Sequence, residues 1–188
     1  MDDLEMLKTV KSGLRGVSGM TLFTSNAPVT ITDVNTGNPA VSMFGPGRGA
    51  KKLPAYSLTF GKMLRYTNKS ILSARNGKDS TIIVTIDGLS YSSTITYTAN
   101  FTNSFADIDL DIIVTAMSGN IATVSLMGRS QFAPTSGSNV YTRFIIGTIN
   151  NLDTTQDSLL DVQFQWSDLN FNSANTITSV TNILQLVN

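Results

Sequence analysis

From residue 56 onward the chain consists of short apolar–polar alternations separated by turn residues, and no segment between them is long enough at helical spacing to form a crossover helix. Period-two alternation sends successive side chains to opposite faces of a strand, so this stretch is confined to β structure. Asn76-Gly77 precedes an apolar run over 81–86, and Asp87-Gly88 separates that run from another over 89–101. Both dipeptides accept positive φ at two successive positions, which a tight hairpin turn demands. Further strands are expected over 56–66, 71–74, 107–117, 121–127, 140–149, 159–166 and 176–187, near the spacing of about 8–12 residues seen in sandwiches and barrels. Parallel strands need long crossovers, usually helical. Without them the expected fold is all-β, an antiparallel β-sandwich of jelly-roll type. The run 177–186 is open to two assignments, because Ile177, Val180, Ile183 and Leu184 would also share a helical face. Its Thr, Ser, Val and Ile content favours a strand.

Residues 1–55 differ in pattern and are expected to form an arm on a sandwich domain spanning 56–188. Leu4, Leu7, Val10 and Leu14 recur at three- and four-residue spacing, which predicts an amphipathic helix over 2–15. Asp2, Asp3 and Glu5 lie in its first turn and Lys8, Lys11 and Arg15 towards its end, the order that suits the helix dipole. A helix this short is marginal alone in water, so its apolar face should dock on its own domain or on a neighbour. Short strands are expected at 21–23, 29–32 and 40–44, with a turn at 35–39. A glycine- and lysine-containing loop, GPGRGAKK at 45–52, then joins arm to body.

Charge is balanced in total but segregated along the chain. Lys and Arg number 13, as do Asp and Glu. Residues 1–44 carry three basic and four acidic residues, net −1. Residues 45–78 carry eight basic residues (Arg48, Lys51, Lys52, Lys62, Arg65, Lys69, Arg75 and Lys78) and no acid, net +8. Residues 79–188 carry two basic and nine acidic residues, net −7. Eight like charges repel one another, and two partners would relieve them: a nucleic acid, with release of counterions, or an acidic face on the next subunit. Tyr56, Phe60 and Tyr66 interleave with the cations and could stack on bases or belong to the core.

The residue inventory narrows the chemistry. There is no cysteine and no histidine, which removes disulfides, thiolates, the usual base near neutral pH and the commonest zinc ligand. GPGRGAKK departs from the phosphate-binding pattern G-x-x-x-x-G-K-[ST]. Ala50 stands at the second glycine, Lys52 at the magnesium-binding hydroxyl, and Pro54 follows where a helix should run on. Asp107, Asp109 and Asp111 alternate with Ile108, Leu110 and Ile112 and so share one strand face. They are a weak calcium candidate and more simply a solvated or partner-facing row. Asp153, Asp157 and Asp161 could pair for glycosidase-type work, although a loop entering a strand accounts for them. Neither S-x-x-K nor G-x-S-x-G occurs. No catalytic residue and no cofactor is expected. Residues 1–16 do not show a basic segment followed by an apolar run, and no apolar run reaches membrane-spanning length, so no secretory signal is expected and the sequons at Asn68 and Asn100 are expected to be incidental.

In layout the chain resembles a small viral or phage structural protein with a single jelly roll. The resemblance lies in the arm at 1–55, the glycine- and cation-containing segment at 45–52 and the Ser/Thr/Asn-rich sandwich at 56–188. It implies a subunit that assembles with copies of itself, with other capsid proteins or with viral nucleic acid, in a virion and away from membranes. The acidic N-terminus departs from the arginine-rich arm of many RNA-packaging coat proteins. A minor capsid, cement or head–tail component needs no such arm. A low charged fraction of 14% fits a subunit covered by others. Two alternatives stand beside it: a lectin-like or fibre-tip binding module using loop 131–139, and a pore-former using the N-terminal helix. An aromatic content of 8% weakens the latter.

Overall fold

The computed structural model describes residues 20–45, 49–133, 140–168 and 170–187. The expected helix at 2–15, with Leu4, Leu7, Val10 and Leu14, lies outside the described residues, as do Arg48 and most of loop 131–139. Among the described residues all regular structure is β: β1 (Met20–Ser25), β2 (Val29–Thr32), β3 (Val41–Ser42), β4 (Lys51–Leu53), β5 (Met63–Ala74), β6 (Asp79–Ile86), β7 (Leu89–Thr96), β8 (Phe101–Ser118), β9 (Ile121–Ala133), β10 (Tyr141–Asp153), β11 (Ser158–Trp166) and β12 (Thr176–Val187). They form two sheets with every pairing antiparallel. The larger has seven strands in the order β1-β12-β5-β8-β9-β10, with β2 following β1 along the same edge of β12; the smaller has five, β3-β11-β6-β7, with β4 beside β3 on β11.

The sheets meet through the inward residues of each alternation. Leu64, Tyr66, Ile108, Leu110, Ile112, Val124 and Leu126 come from the larger sheet. Ile82, Val84, Ile86, Leu160, Val162, Phe164 and Trp166 come from the smaller, and all are buried. Each such side chain contributes about 1.5–3 kcal/mol on burial, which fixes every strand's register, since a one-residue slip would turn the whole set to solvent.

Several boundaries differ from the sequence expectation, for local reasons. The strand expected over 56–66 begins only at Met63, because Tyr56 (φ 61°) and Gly61 (φ 79°) turn the chain before it. It then continues unbroken to Ala74, joining the two runs that sequence had separated. β9 extends to Ala133, since the inward Ser130 and Phe132 continue the alternation past Met127. The ambiguous 177–186 is strand throughout. A register shift between Ser179 and Thr181 against β5 moves the inward set from Ile177 and Ser179 to Asn182, Leu184 and Leu186. Of the four residues that would share a helical face, Ile177 and Leu184 are inward, while Val180 is exposed and Ile183 only partly buried. The segment expected as an arm supplies, from residue 20 on, one edge of each sheet: β1 and β2 on β12, β3 and β4 on β11.

Candidate interaction surface

The outer face of the larger sheet carries five of the residues singled out in the sequence, Arg65, Lys69, Asp107, Asp109 and Asp111. On β8, Asp107, Asp109 and Asp111 point outward as the alternation requires, with Ile108, Leu110 and Ile112 buried behind them. Register places Arg65 and Lys69 of β5 opposite Asp111 and Asp107, and Arg129 of β9 opposite Asp109. Arg65 grips Asp111 with two hydrogen bonds, Nε to Oδ1 at 2.7 Å and Nη2 to Oδ2 at 3.0 Å. Lys69 Nζ lies 2.8 Å from Asp107, whereas Arg129 Nε is 3.8 Å from Asp109. The Asp111 bonds, then its charge, raise Arg65 above its ordinary value. Half-exposed pairs like these stabilise a fold by only about 0–1 kcal/mol each. Their consequence is electrostatic: three cations and three carboxylates leave the face neutral.

Around these charges the face is apolar. Phe105, Phe144 and Ile146 are 72, 66 and 67% exposed, and Ile71 and Met127 also stand in solvent. Ile71 lies opposite Phe105, Met127 opposite Ile146, and Arg129 opposite Phe144. An open groove of about 440 Å³ is lined by Arg65, Asp109, Asp111, Met127, Gly128, Arg129 and Phe144. Large apolar patches rimmed by polar residues mark contact sites on soluble proteins.

The rest of the basic segment is dispersed. Lys52 pairs with Asp157 at 2.7 Å. Lys51 Nζ sits 4.3 Å above the Phe23 ring, a cation–π arrangement. Both lysines lie in β4, so GPGRGAKK leads into a strand, not the helix a phosphate loop requires. Tyr66 is a core residue, not a stacking platform, while Tyr56 and Phe60 are exposed. Asp157 also accepts from Ala55 N at 2.8 Å. Asp153 caps Thr155, and Asp161 bonds Ser42 and Gln163, so these three carboxylates do not converge. Among the described residues no three His, Cys, Asp or Glu side chains stand close enough to hold a metal ion.

Lys78 requires a correction. Expected as a surface contact, it is wholly buried beside Asp33, with Nζ 2.7 Å from the carboxylate and 2.5 Å from the Ser167 carbonyl. Asp33 also accepts hydrogen bonds from Asn38 Nδ2, Asn172 N and Asn175 Nδ2 at 2.8–3.0 Å. Burial pushes the Asp33 carboxyl up, but the Lys78, Asn175, Asn172 and Asn38 bonds together hold it below its usual value. Its contribution to stability is therefore complete above about pH 4 and drains away as pH falls through the folded value. Asp33→Asn should be less stable than wild type at neutral pH, and the gap should narrow below about pH 4. Urea unfolding followed at several pH values checks this, and a gap independent of pH would remove Asp33 as its source.

A second polar cluster lies inside the core. Tyr66 donates to Asn182 Oδ1 at 2.7 Å, Asn68 Nδ2 to Ser179 Oγ and Asn182 Oδ1, and Ser70 to Asn68. Burial first, and then the Asp161 charge, push the Tyr66 phenol well above its ordinary value. Asn68, half of one sequon, is buried here. The one trace of this cluster in the sequence is polar residues at inward positions of otherwise apolar alternations.

At the flanks of loop 131–139, a cleft of about 330 Å³ is floored by Tyr97, Phe101, Phe132 and Tyr141 and edged by Thr94, Thr96, Thr98, Thr142 and Arg143. The four rings pack edge-on at centroid distances of 5.3–5.7 Å along Phe132–Tyr97–Phe101–Tyr141.

No protein-family model and no curated protein matches the chain. Among solved structures it is similar to the CBM2 module of the evolved Dit of Lactobacillus casei BL23 phage J-1, at 7% identity and a TM-score of 0.35, over 90% of this chain and 97% of that one. It is also similar to an engineered GH43 glycoside hydrolase with endo-xylanase and exo-arabinofuranosidase activity, at 7% identity and a TM-score of 0.36. That match covers 77% of this chain, and the chain spans only 35% of the hydrolase.

Proposed function

We propose that the chain is a non-catalytic structural subunit, a jelly roll that assembles with copies of itself into a capsid or phage-type particle. One observation carries this: the outer face of the larger sheet exposes Ile71, Phe105, Met127, Phe144 and Ile146 around charges already matched within the chain. Such a face costs solubility unless it is covered. The strand order supports the jelly roll. With β1/β2 and β3/β4 counted as one strand each, and β9-β10 as an added hairpin, eight strands remain in two four-stranded sheets. The basic segment contributes to subunit structure more than to nucleic-acid contact. Four of its described cations (Lys52, Arg65, Lys69 and Lys78) already face carboxylates of their own chain.

Sedimentation velocity at low and high salt, followed at 260 and 280 nm, tests the proposal. The expected result is a large discrete species without excess 260 nm absorbance. Excess that salt removes would instead assign the segment to nucleic acid. A monomer at every concentration would overturn assembly. A small-ligand role for the aromatic cleft beside Arg143 would then move ahead.

A further inference from the structure

We propose that the outer face of the larger sheet docks a second copy of this chain about a two-fold axis running parallel to the strands, between β8 and β9. This rests on the assembly proposed above and adds the partner, the register and the residue pair that sets it. In an isologous contact residue i meets j while j meets i. With the axis placed there, each β8 lies over the other copy's β9 and each β5 over the other's β10. Asp109 then meets Arg129 of the second copy, and Arg129 meets its Asp109.

Three observations select a second copy as occupant. First, the face is neutral but striped: carboxylates on β8, flanked by cations on β5 and β9. Under this two-fold β8 and β9 exchange places, so the Asp109–Arg129 contact is made twice at the axis, and a face without net charge offers nothing to a uniformly charged partner. Second, Asp109–Arg129 is the longest of the three pairs, 3.8 Å against 2.7 and 2.8 Å. It borders the open groove that Phe144 and Met127 also line, so both groups have capacity for another partner. Third, from the Ile71–Phe105 row to the Met63–Ile113 row, the four strands that overlap, β5, β8, β9 and β10, span roughly 19 by 27 Å, about 520 Å². That is about two-thirds of the share of about 800 Å² that each partner buries in a stable interface. Phe144 and Ile146 fall within the covered area.

The test is sedimentation of the full chain carrying Arg129→Asp or Asp109→Arg. Each variant alone gathers four like charges about the axis, and its association should weaken about tenfold or more. Mixed in equal amounts, the two should associate again, because each supplies the sign the other lacks. Phe144→Ser with Ile146→Ser should also weaken association while the far-ultraviolet circular dichroism stays unchanged. Wild-type association by either single variant, or no recovery on mixing two folded variants, would overturn the proposal. If the wild type still assembles in that case, the particle role survives and its contacts lie elsewhere. A wild-type monomer at every concentration overturns both, and cross-linking of this face to the chain's own residues 1–19 would reassign it to the N-terminus.

Discussion

Lys78→Met is expected to lower the stability of the fold by about 3–5 kcal/mol, the cost of leaving one partner of a buried ion pair alone. Methionine keeps the apolar length of the lysine stem, so little packing is lost. What remains is the Asp33 carboxylate, 1% exposed, still bonded to Asn38, Asn172 and Asn175 but without its counter-charge. Against a total stability of about 5–15 kcal/mol, that is enough to unfold a large fraction of the protein at elevated temperature. Lys78→Met combined with Asp33→Asn should recover part of the loss, because no uncompensated charge is then buried. Urea unfolding of the three variants and the wild type at neutral pH separates these outcomes. A loss below about 1 kcal/mol for the single variant would mean that water reaches the pair as it does a surface ion pair.

Gly128→Val should be the second severe substitution, destabilising by about 3 kcal/mol, the upper end of ordinary overpacking. The backbone torsion is not the cause, since Gly128 is not among the positive-φ glycines. The cause is space. A Cβ at 128 would fall 2.4 Å from the Asp109 carbonyl oxygen and 2.9 Å from the Leu110 Cα. Both are backbone atoms of β8, so the two strands would have to separate where they are held on each side by further pairings. Gly119→Ala is the informative control. It has φ +60° with nothing within 4 Å of a built Cβ, so it should cost only the torsional strain, about 1 kcal/mol. Thermal unfolding of both variants tests the contrast. Equal shifts would show that β8 and β9 yield easily and that the close approach is without energetic weight.

The two sites differ in how far sequence could reveal them. The outward row Asp107, Asp109, Asp111 was legible, because alternation within one strand is a local property. So was the hairpin turn at Asp87 and Gly88, which both take positive φ, at 51° and 77°; at Asn76-Gly77 only the glycine does, at 78°, and the turn carries the chain from β5 in one sheet to β6 in the other instead of closing a hairpin. The close approach at Gly128 was not legible, since a glycine inside a strand signals only that something comes near, not what. Lys78 was misassigned because its type is almost never fully buried. Its partner Asp33 is 45 positions away, on the loop after β2. The basic and acidic blocks, net +8 and −7 in the sequence, look locally like surfaces for other molecules, whereas the fold sets β5 beside β8 and β4 beside β11.

The sequence by itself determined the strand class, the turns between consecutive strands and the side of each strand that faces the core. Those follow from periods of two residues and from the torsions that Asn, Asp and Gly accept. Only the tertiary structure decided which strands became neighbours. With that it decided which charges cancel, which lysine is interior and which apolar side chains stay outside. Pairings between residues tens of positions apart depend on how two whole sheets bury their inner faces together, and no local pattern encodes that.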